Sequence, residues 1–182
     1  TGQLVVYCHK ADSTSSSSQA DQDSDLIGAY TTASVVGNPG NYNIEWDGDW
    51  TGHDLIVGYL FDMKIEFPTI YPTQSAGENT TADIQGNLIL HRAKINFGAA
   101  GLYKTTLKRL GKDDYSETWE APLADSYNAN HVGIHFEKEQ VVPIYDKNKN
   151  VTLEVSSKHP APATLYSMTW EGDYTNKYYR SV

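Results

Sequence analysis

Two short acidic segments carry the spacing of a cation-binding loop. In Asp47-Gly-Asp49-Trp-Thr51-Gly52-His53-Asp54, oxygen-bearing side chains fall at positions one, three and five and glycine at six. A calcium loop begins that way, but its twelfth position should be a bidentate glutamate and here it is Gly58. A turn held by its own Asp side chains is the plainer reading. Asp146, Asn148 and Asn150 repeat the spacing, with Val151 in place of the glycine and Ser157 in place of the glutamate. Among the histidines (His9, His53, His91, His131, His135 and His159), His131 and His135 are four apart, a zinc spacing on a helix. In a strand they fall on one face about 13 Å apart, at ~3.3 Å per residue. The chain has no His-Glu-x-x-His, no Gly-x-Ser-x-Gly elbow and no glycine-rich phosphate loop. Paired carboxylates for glycoside cleavage can be drawn from any chain this acidic and single out no site. These residues give no catalytic set, no metal site and no cofactor, and the chain reads as a non-enzyme.

Charge and composition narrow the partners. The net charge is −9, and residues 1–87 hold twelve acidic residues against Lys10 and Lys64, while residues 88–182 hold eleven against twelve Lys and Arg. No block is basic enough for a phosphate-binding footprint, whereas such a surface suits nucleic acid that must slide past without sticking. The single cysteine, Cys8, lies in an apolar run, excludes an intramolecular disulfide and reads as a buried thiol. No apolar run approaches the ~20 residues of a membrane-spanning helix, and no segment reads as a signal peptide. Trp46, Trp50, Trp119, Trp170 and thirteen Tyr are either a sugar-stacking platform or, as more often, sheet core and subunit interface.

The elements that position these residues are strands. Tyr, Thr, Val and Ile are abundant, and Gly- and Asn-rich punctuation recurs about every ten residues. The expected fold is all-β, with mainly antiparallel sheets in a sandwich- or barrel-like arrangement and little helix. Leu4–Tyr7 reads as a strand already under way, so the chain reads as a fragment of a longer polypeptide lacking its N-terminal part. Tyr59, Phe61, Met63, Ile65 and Phe67 alternate with Asp62, Lys64 and Glu66, which predicts one half-buried strand over 59–67. Pro68 and Pro72 then open a long loop to about Asp83. A second strand is expected over Leu88–Phe97 with Ile89, Ala93, Ile95 and Phe97 on one face. Gly98 and Gly101 suggest a tight turn, so that Leu102–Leu110 pairs back as a hairpin.

Tyr115–Trp119 and the alternating Val132, Ile134 and Phe136 predict short strands. Asp146–Asn150 reads as a hairpin tip before Val151, Leu153 and Val155. Pro160 and Pro162 break the chain before a last strand, Leu165–Trp170, whose apolar face is Tyr166, Met168 and Trp170. That strand is expected to turn at Glu171-Gly172-Asp173 into an aromatic-basic tail. The Ser- and Asp-rich segment Asp12–Asp25 cannot bury enough apolar surface to offset its ordering entropy and reads as an exposed loop, with a short helix around Gln19–Asp25. The expected division is an N-terminal β segment over 1–54 and a C-terminal β domain over 55–182.

The ending Trp170-Glu-Gly-Asp-Tyr174 followed by a basic tail resembles the C-terminus of the tail tubular protein B, or tail nozzle, family of short-tailed phages (podoviruses). Gly58-Tyr59-Leu-Phe61 with the strand ending Phe67-Pro68, the line Gly86–Gly98 running into Gly98-Ala-Ala-Gly101-Leu-Tyr103, Val141-Val-Pro-Ile144, and Val151–Ser157 follow in the family's order. The resemblance covers about 55–182. It implies a structural virion protein, located in the phage tail. It implies a subunit of a hexameric ring or tube at the distal end of the tail, a conduit for genome ejection. The partners it implies are other copies of the chain, the tail adaptor protein, tail fibres, and DNA passing without sequence recognition. Trp170, Tyr174, Lys177, Tyr178, Tyr179 and Arg180 are the candidate subunit-contact residues. The alternative is a carbohydrate- or receptor-binding β module.

Overall fold

The computed structural model describes residues 3–11, 27–60, 62–76, 79–122, 131 and 133–176. The Ser/Asp-rich segment and the basic tail lie outside them. Among the described residues the regular structure is strand, apart from one 3-10 turn at Asn148–Asn150, with turns and loops between. The all-β expectation holds.

Among the described residues thirteen strands build three main antiparallel sheets and a small hairpin. The first sheet holds β1 (Leu4–Ala11), β2 (Tyr30–Asn38), β3 (Asn41–Trp46) and β4 (His53–Tyr59), in the order β3-β2-β1-β4. Beyond it come β5 (Met63–Glu66), the hairpin of β6 (Thr73–Ala76) and β7 (Asn79–Ala82), β8 (Asn87–Ala100), β9 (Leu102–Arg109) and β10 (Lys112–Glu120). The last strands are β11 (Lys138–Lys147), β12 (Val151–Ser157) and β13 (Ala163–Thr175). One sheet runs β10-β9-β12-β5 and another β11-β8-β13. These two share one core of Leu88, Leu90, Ala93, Ile95 and Phe97 from β8, Tyr103 and Leu107 from β9, Val142 and Ile144 from β11, and Leu153 and Val155 from β12. They form a sandwich whose inner faces alternate with polar outer faces.

Several local expectations are corrected by that topology. The alternating run 59–67 is not one strand: β4 ends at Tyr59 in the first sheet and β5 begins at Met63 in the sandwich. The period of two runs through the break, but it does not mark one buried face, because Tyr59 is exposed while Met63 and Ile65 are half-buried. The expected loop to Asp83 contains the β6–β7 hairpin. Ile89 is exposed and Leu88 and Leu90 point inward instead. The cause is a bulge: Arg92 pairs with Glu171 and Leu90 with Gly172, leaving His91 as an extra residue that reverses the phase before Ala93.

β8 and β9 are not a hairpin. The chain passes from one sheet to the other at Gly101, where a Cβ would lie 2.1 Å from that of Ala161, so only glycine allows the crossing. The true hairpin is β9–β10, turning at Gly111 with φ of +73°. The Asp146–Asn150 connection likewise joins two sheets rather than two paired strands. Ile134 and Phe136 are exposed and form no strand, only isolated bridges at His131 before them and at His135 between them; Val132 lies outside the described residues. The last strand does not turn at Glu171–Asp173 but continues to Thr175, paired with β8 down to Asn87. Tyr166 faces outward at a register shift, while Leu165 and Met168 pack on the core.

The first sheet has its own small core of Val6, Cys8, Ala29 and Trp50, flanked by Ala33, Trp46 and Leu55. Its links to the sandwich include a bridge from Ala29 to His131 and the ring of Tyr30 edge-on to His159 at 5.1 Å.

Candidate assembly surfaces

The acidic loops are occupied by their own chain. Asp49 accepts hydrogen bonds from the Thr51 hydroxyl at 2.5 Å and the Thr51 N–H at 3.1 Å, and these hold its carboxyl below the usual range. Asp146 accepts from Lys112 Nζ at 2.7 Å, its neighbour's N–H (Lys147) at 2.8 Å and Asn150 Nδ2 at 3.2 Å, which lowers its pKa to about 2. Asn148 is buried and donates to the carbonyl of Ile70 at 2.7 Å. This loop fastens the crossing between β11 and β12 to β10 and to the segment after β5. Among the described residues no three His, Cys, Asp or Glu side chains come together as a metal site.

The aromatic residues divide mainly by depth. Trp119 stacks on the fully buried Tyr103, and Trp50 lies in the small core. Core filling therefore accounts for these two tryptophans, as the bland reading of the sequence expected. Tyr145 is exposed and stacks on His91 at 5.9 Å, covering the bulge.

β13 is an edge strand, and it places two of the candidate contact residues. Trp170 lies opposite Ala93 and is partly exposed. Tyr174 lies opposite Leu88; its ring packs so closely on Gly86 that a Cβ there would come within 2.4 Å of it. The Tyr174 hydroxyl donates to Asp83, whose carboxyl also accepts from the N–H groups of Gln85 at 2.9 Å and Gly86 at 3.0 Å. Those bonds, Tyr174's first, hold Asp83 below the ordinary carboxylate range. Tyr174 thus fastens the end of β13 to the turn before β8 in its own chain. Lys177, Tyr178, Tyr179 and Arg180 lie outside the described residues.

The same strand neutralises the cations of β8. Glu171 pairs with Arg92 Nε at 2.5 Å and Lys94 Nζ at 3.2 Å, and Asp173 with His91 at 3.2 Å. The two cations lower the Glu171 pKa, that of Arg92 more. Arg92 and Lys94, both beyond the bulge, therefore share one carboxylate rather than standing as a bare cationic stripe.

The largest unassigned feature is apolar. Ile27, Val35, Val36, Tyr42, Ile44, Ile56, Val57 and Tyr59 are all exposed, and all but Ile27 lie on the first sheet. Sequence reading passed over this region, although the alternation of Ala33, Val35 and Gly37 and of Tyr42, Ile44 and Trp46 around Pro39-Gly40 was a signal for a hairpin. A surface of this kind marks an interaction site more often than a solvated face.

The family model of the bacteriophage nozzle protein matches residues 4–181. The chain belongs to the bacteriophage nozzle protein family. No curated protein matches it. As a nozzle-family chain it is a structural component of the podovirus virion tail, and the family is not known as an enzyme. The match takes in all three main sheets, including residues 4–54, for which the sequence resemblance was least specific. Membership fits a tail component that is oligomeric. Among the described residues no helix is long and apolar enough to cross a membrane.

Proposed function

We propose that this nozzle-family chain is a subunit of the ring or tube at the distal end of a short phage tail and helps form the conduit for genome ejection. The family match over residues 4–181 carries the reading. The charge supports it: a subunit with net charge −9, whose Arg92 and Lys94 are paired with Glu171, offers passing DNA little to bind. The mechanism is mechanical. Identical subunits close head to tail into a ring, the hexamer that the family resemblance implies, because closure hides contacts that would otherwise polymerise openly. The tail adaptor protein and tail fibres are its neighbours, and of its two parts, 1–54 and 55–182, the first extends to the end of β4 at Tyr59, because β4 pairs with β1. The C-terminal tail from Tyr174 through Lys177, Tyr178, Tyr179 and Arg180 docks on an adjacent subunit, with Trp170 beside it.

Electron microscopy of the purified protein tests the ring, with particles of closed rotational symmetry expected. Deletion of 177–182, which leaves Tyr174 on Asp83 and Thr175 paired with Asn87, should impair ring formation, and unchanged rings would remove the docking role of the tail. A chain that forms no rings and binds glycans in an array would favour the carbohydrate-binding alternative instead.

A further inference from the structure

The first sheet carries two exposed apolar surfaces on its opposite faces. β2 and β3 project as a two-stranded arm in which Val35 pairs with Ile44 and Gly37 with Tyr42. Pairs two residues apart share a face, so Ala33/Trp46, Val35/Ile44 and Gly37/Tyr42 form one continuous strip. Its inner end, Ala33 and Trp46, packs on the small core of Val6, Cys8, Ala29 and Trp50. Its outer end is bare: Val35 is 54% exposed, Ile44 41% and Tyr42 61%. The other face of the arm is largely polar, with Ser34, Glu45, Asn43, Asn38 and Asn41 around Val36. The arm is thus amphipathic, and its apolar side extends a core with nothing from the described chain to cover it.

The second surface is a cleft of about 300 Å³ lined by Val5, Tyr7, Ile56, Tyr59, Leu60 and Pro160. Val5 and Tyr7 alternate with the core residues Val6 and Cys8, so the cleft opens on the sheet face opposite the strip. Its lining is chiefly apolar, and Ile56, opposite Tyr7, is exposed on that face, whereas Tyr59, opposite Leu4, belongs to the strip's face.

We propose that the arm of one copy inserts Tyr42 and Ile44 into the cleft of the next copy. The occupant is a second copy of this chain because one sheet presents a projecting apolar strip on one face and an apolar recess on the other. Two such surfaces on one molecule mate head to tail and leave both ends open for further copies. A tyrosine ring with an isoleucine fits a recess of that volume, and the bare fractions of Tyr42, Val35, Ile44 and Ile56 amount to on the order of 300 Å² of apolar side-chain surface. That is modest against the ~1,200–2,000 Å² total of a standard interface. A single contact is therefore weak, and a closed ring, in which every copy makes the contact twice, is the form in which it holds. The number of copies rests on the ring reading above; the arm-to-cleft contact does not.

Disulfide trapping tests the contact. In a Cys8→Ala background, one preparation carries Tyr42→Cys and another Ile56→Cys, both at exposed positions where folding is unaffected and can be checked by circular dichroism. Mixed under mild oxidation, the two should give a covalent dimer at least tenfold above either alone, and the double variant a ladder of oligomers. Dimer from Tyr42→Cys alone would mean that arms meet arms, and no dimer in any mixture would mean that the arm docks elsewhere; either result overturns the proposal. Ring images of the unaltered chain report on the nozzle reading separately, since a trapped dimer needs no ring and a ring held by other surfaces gives no trapped dimer.

Discussion

Replacing Tyr103 by Phe should stabilise the sandwich. Tyr103 is fully buried, and its ring stacks on Phe97 at 3.7 Å and Trp119 at 5.1 Å. Among the described residues no group hydrogen-bonds its hydroxyl. Burial first, and then the charge of Glu117, push the phenol far above its ordinary pKa, so it stays neutral at any pH where the fold survives. A neutral hydroxyl taken out of water without a partner costs about 1–3 kcal/mol. Phenylalanine keeps the ring and both stacks. The oxygen leaves a void of ~15 Å³, which returns only about 0.4 kcal/mol of that gain as a cavity term. The net expectation for Tyr103→Phe is a gain of about 1 kcal/mol, or ~2–4 °C in Tm for a chain of this size. Urea unfolding at pH 7 should show a higher midpoint with an unchanged slope. Tyr103→Ala in the same assay should lose about 3–5 kcal/mol, because it removes the ring on which both stacks depend. A loss of about 1 kcal/mol or more in Tyr103→Phe would refute the reasoning, because it would mean that the hydroxyl makes a bond worth more than its burial costs.

Asp146 has a folded-state pKa of about 2 against an ordinary 3.8, so its contribution is complete above about pH 4 and is lost as pH falls toward 2. Lys112 is half exposed, so solvent screening reduces that contribution to about 1 kcal/mol; Asp146→Asn should lose it at pH 7 and flatten the acid limb of a stability-versus-pH curve. His159 is pushed below its ordinary pKa by burial, partly offset by Glu120. Its neutral form is favoured by folding, and stability should fall as pH drops below about 6.5, a slope that His159→Gln removes in fluorescence-monitored unfolding. Leu107→Ala, in the sandwich core, should cost about 2–5 kcal/mol, whereas Val35→Ser on the bare arm should change unfolding by less than about 0.5 kcal/mol. Tyr174→Phe removes the hydroxyl bond to Asp83 and should cost about 1 kcal/mol, with faster amide exchange in the Asp83–Gly86 turn.

Much of the fold was legible because β patterning is local. Ile95, Phe97, Leu153 and Val155 were placed in strands by alternation, and all four are buried. The errors share one cause, which is that alternation records a half-buried face without recording the sheet to which it belongs. Residues 59–67 keep their period across a break between two sheets, and Gly98–Gly101 looks like a hairpin turn where the chain changes layer. Ile89 was assigned to the wrong face because the bulge at His91 lies between it and the rest of its strand, and a bulge is set by the pairing partner. The expected turn at Glu171–Asp173 failed for a similar reason: pairing with β8 holds that segment extended, and Arg92 and Lys94 give Glu171 a place in the strand.

The sequence by itself determined the β class, the inward set of the clearest strands, the acidic balance that argues against nucleic-acid binding, and the resemblance that the family match bears out. These depend on side-chain type and on spacing within a few residues, which any strand preserves. Only the tertiary structure decided which strands share a sheet, that Asp146 is a clasp of the fold, and that Tyr174 closes onto Asp83 in its own chain. Only it revealed an arm and a cleft on opposite faces of one sheet. Such features join residues dozens of positions apart, and their energies exist only once the layers have packed.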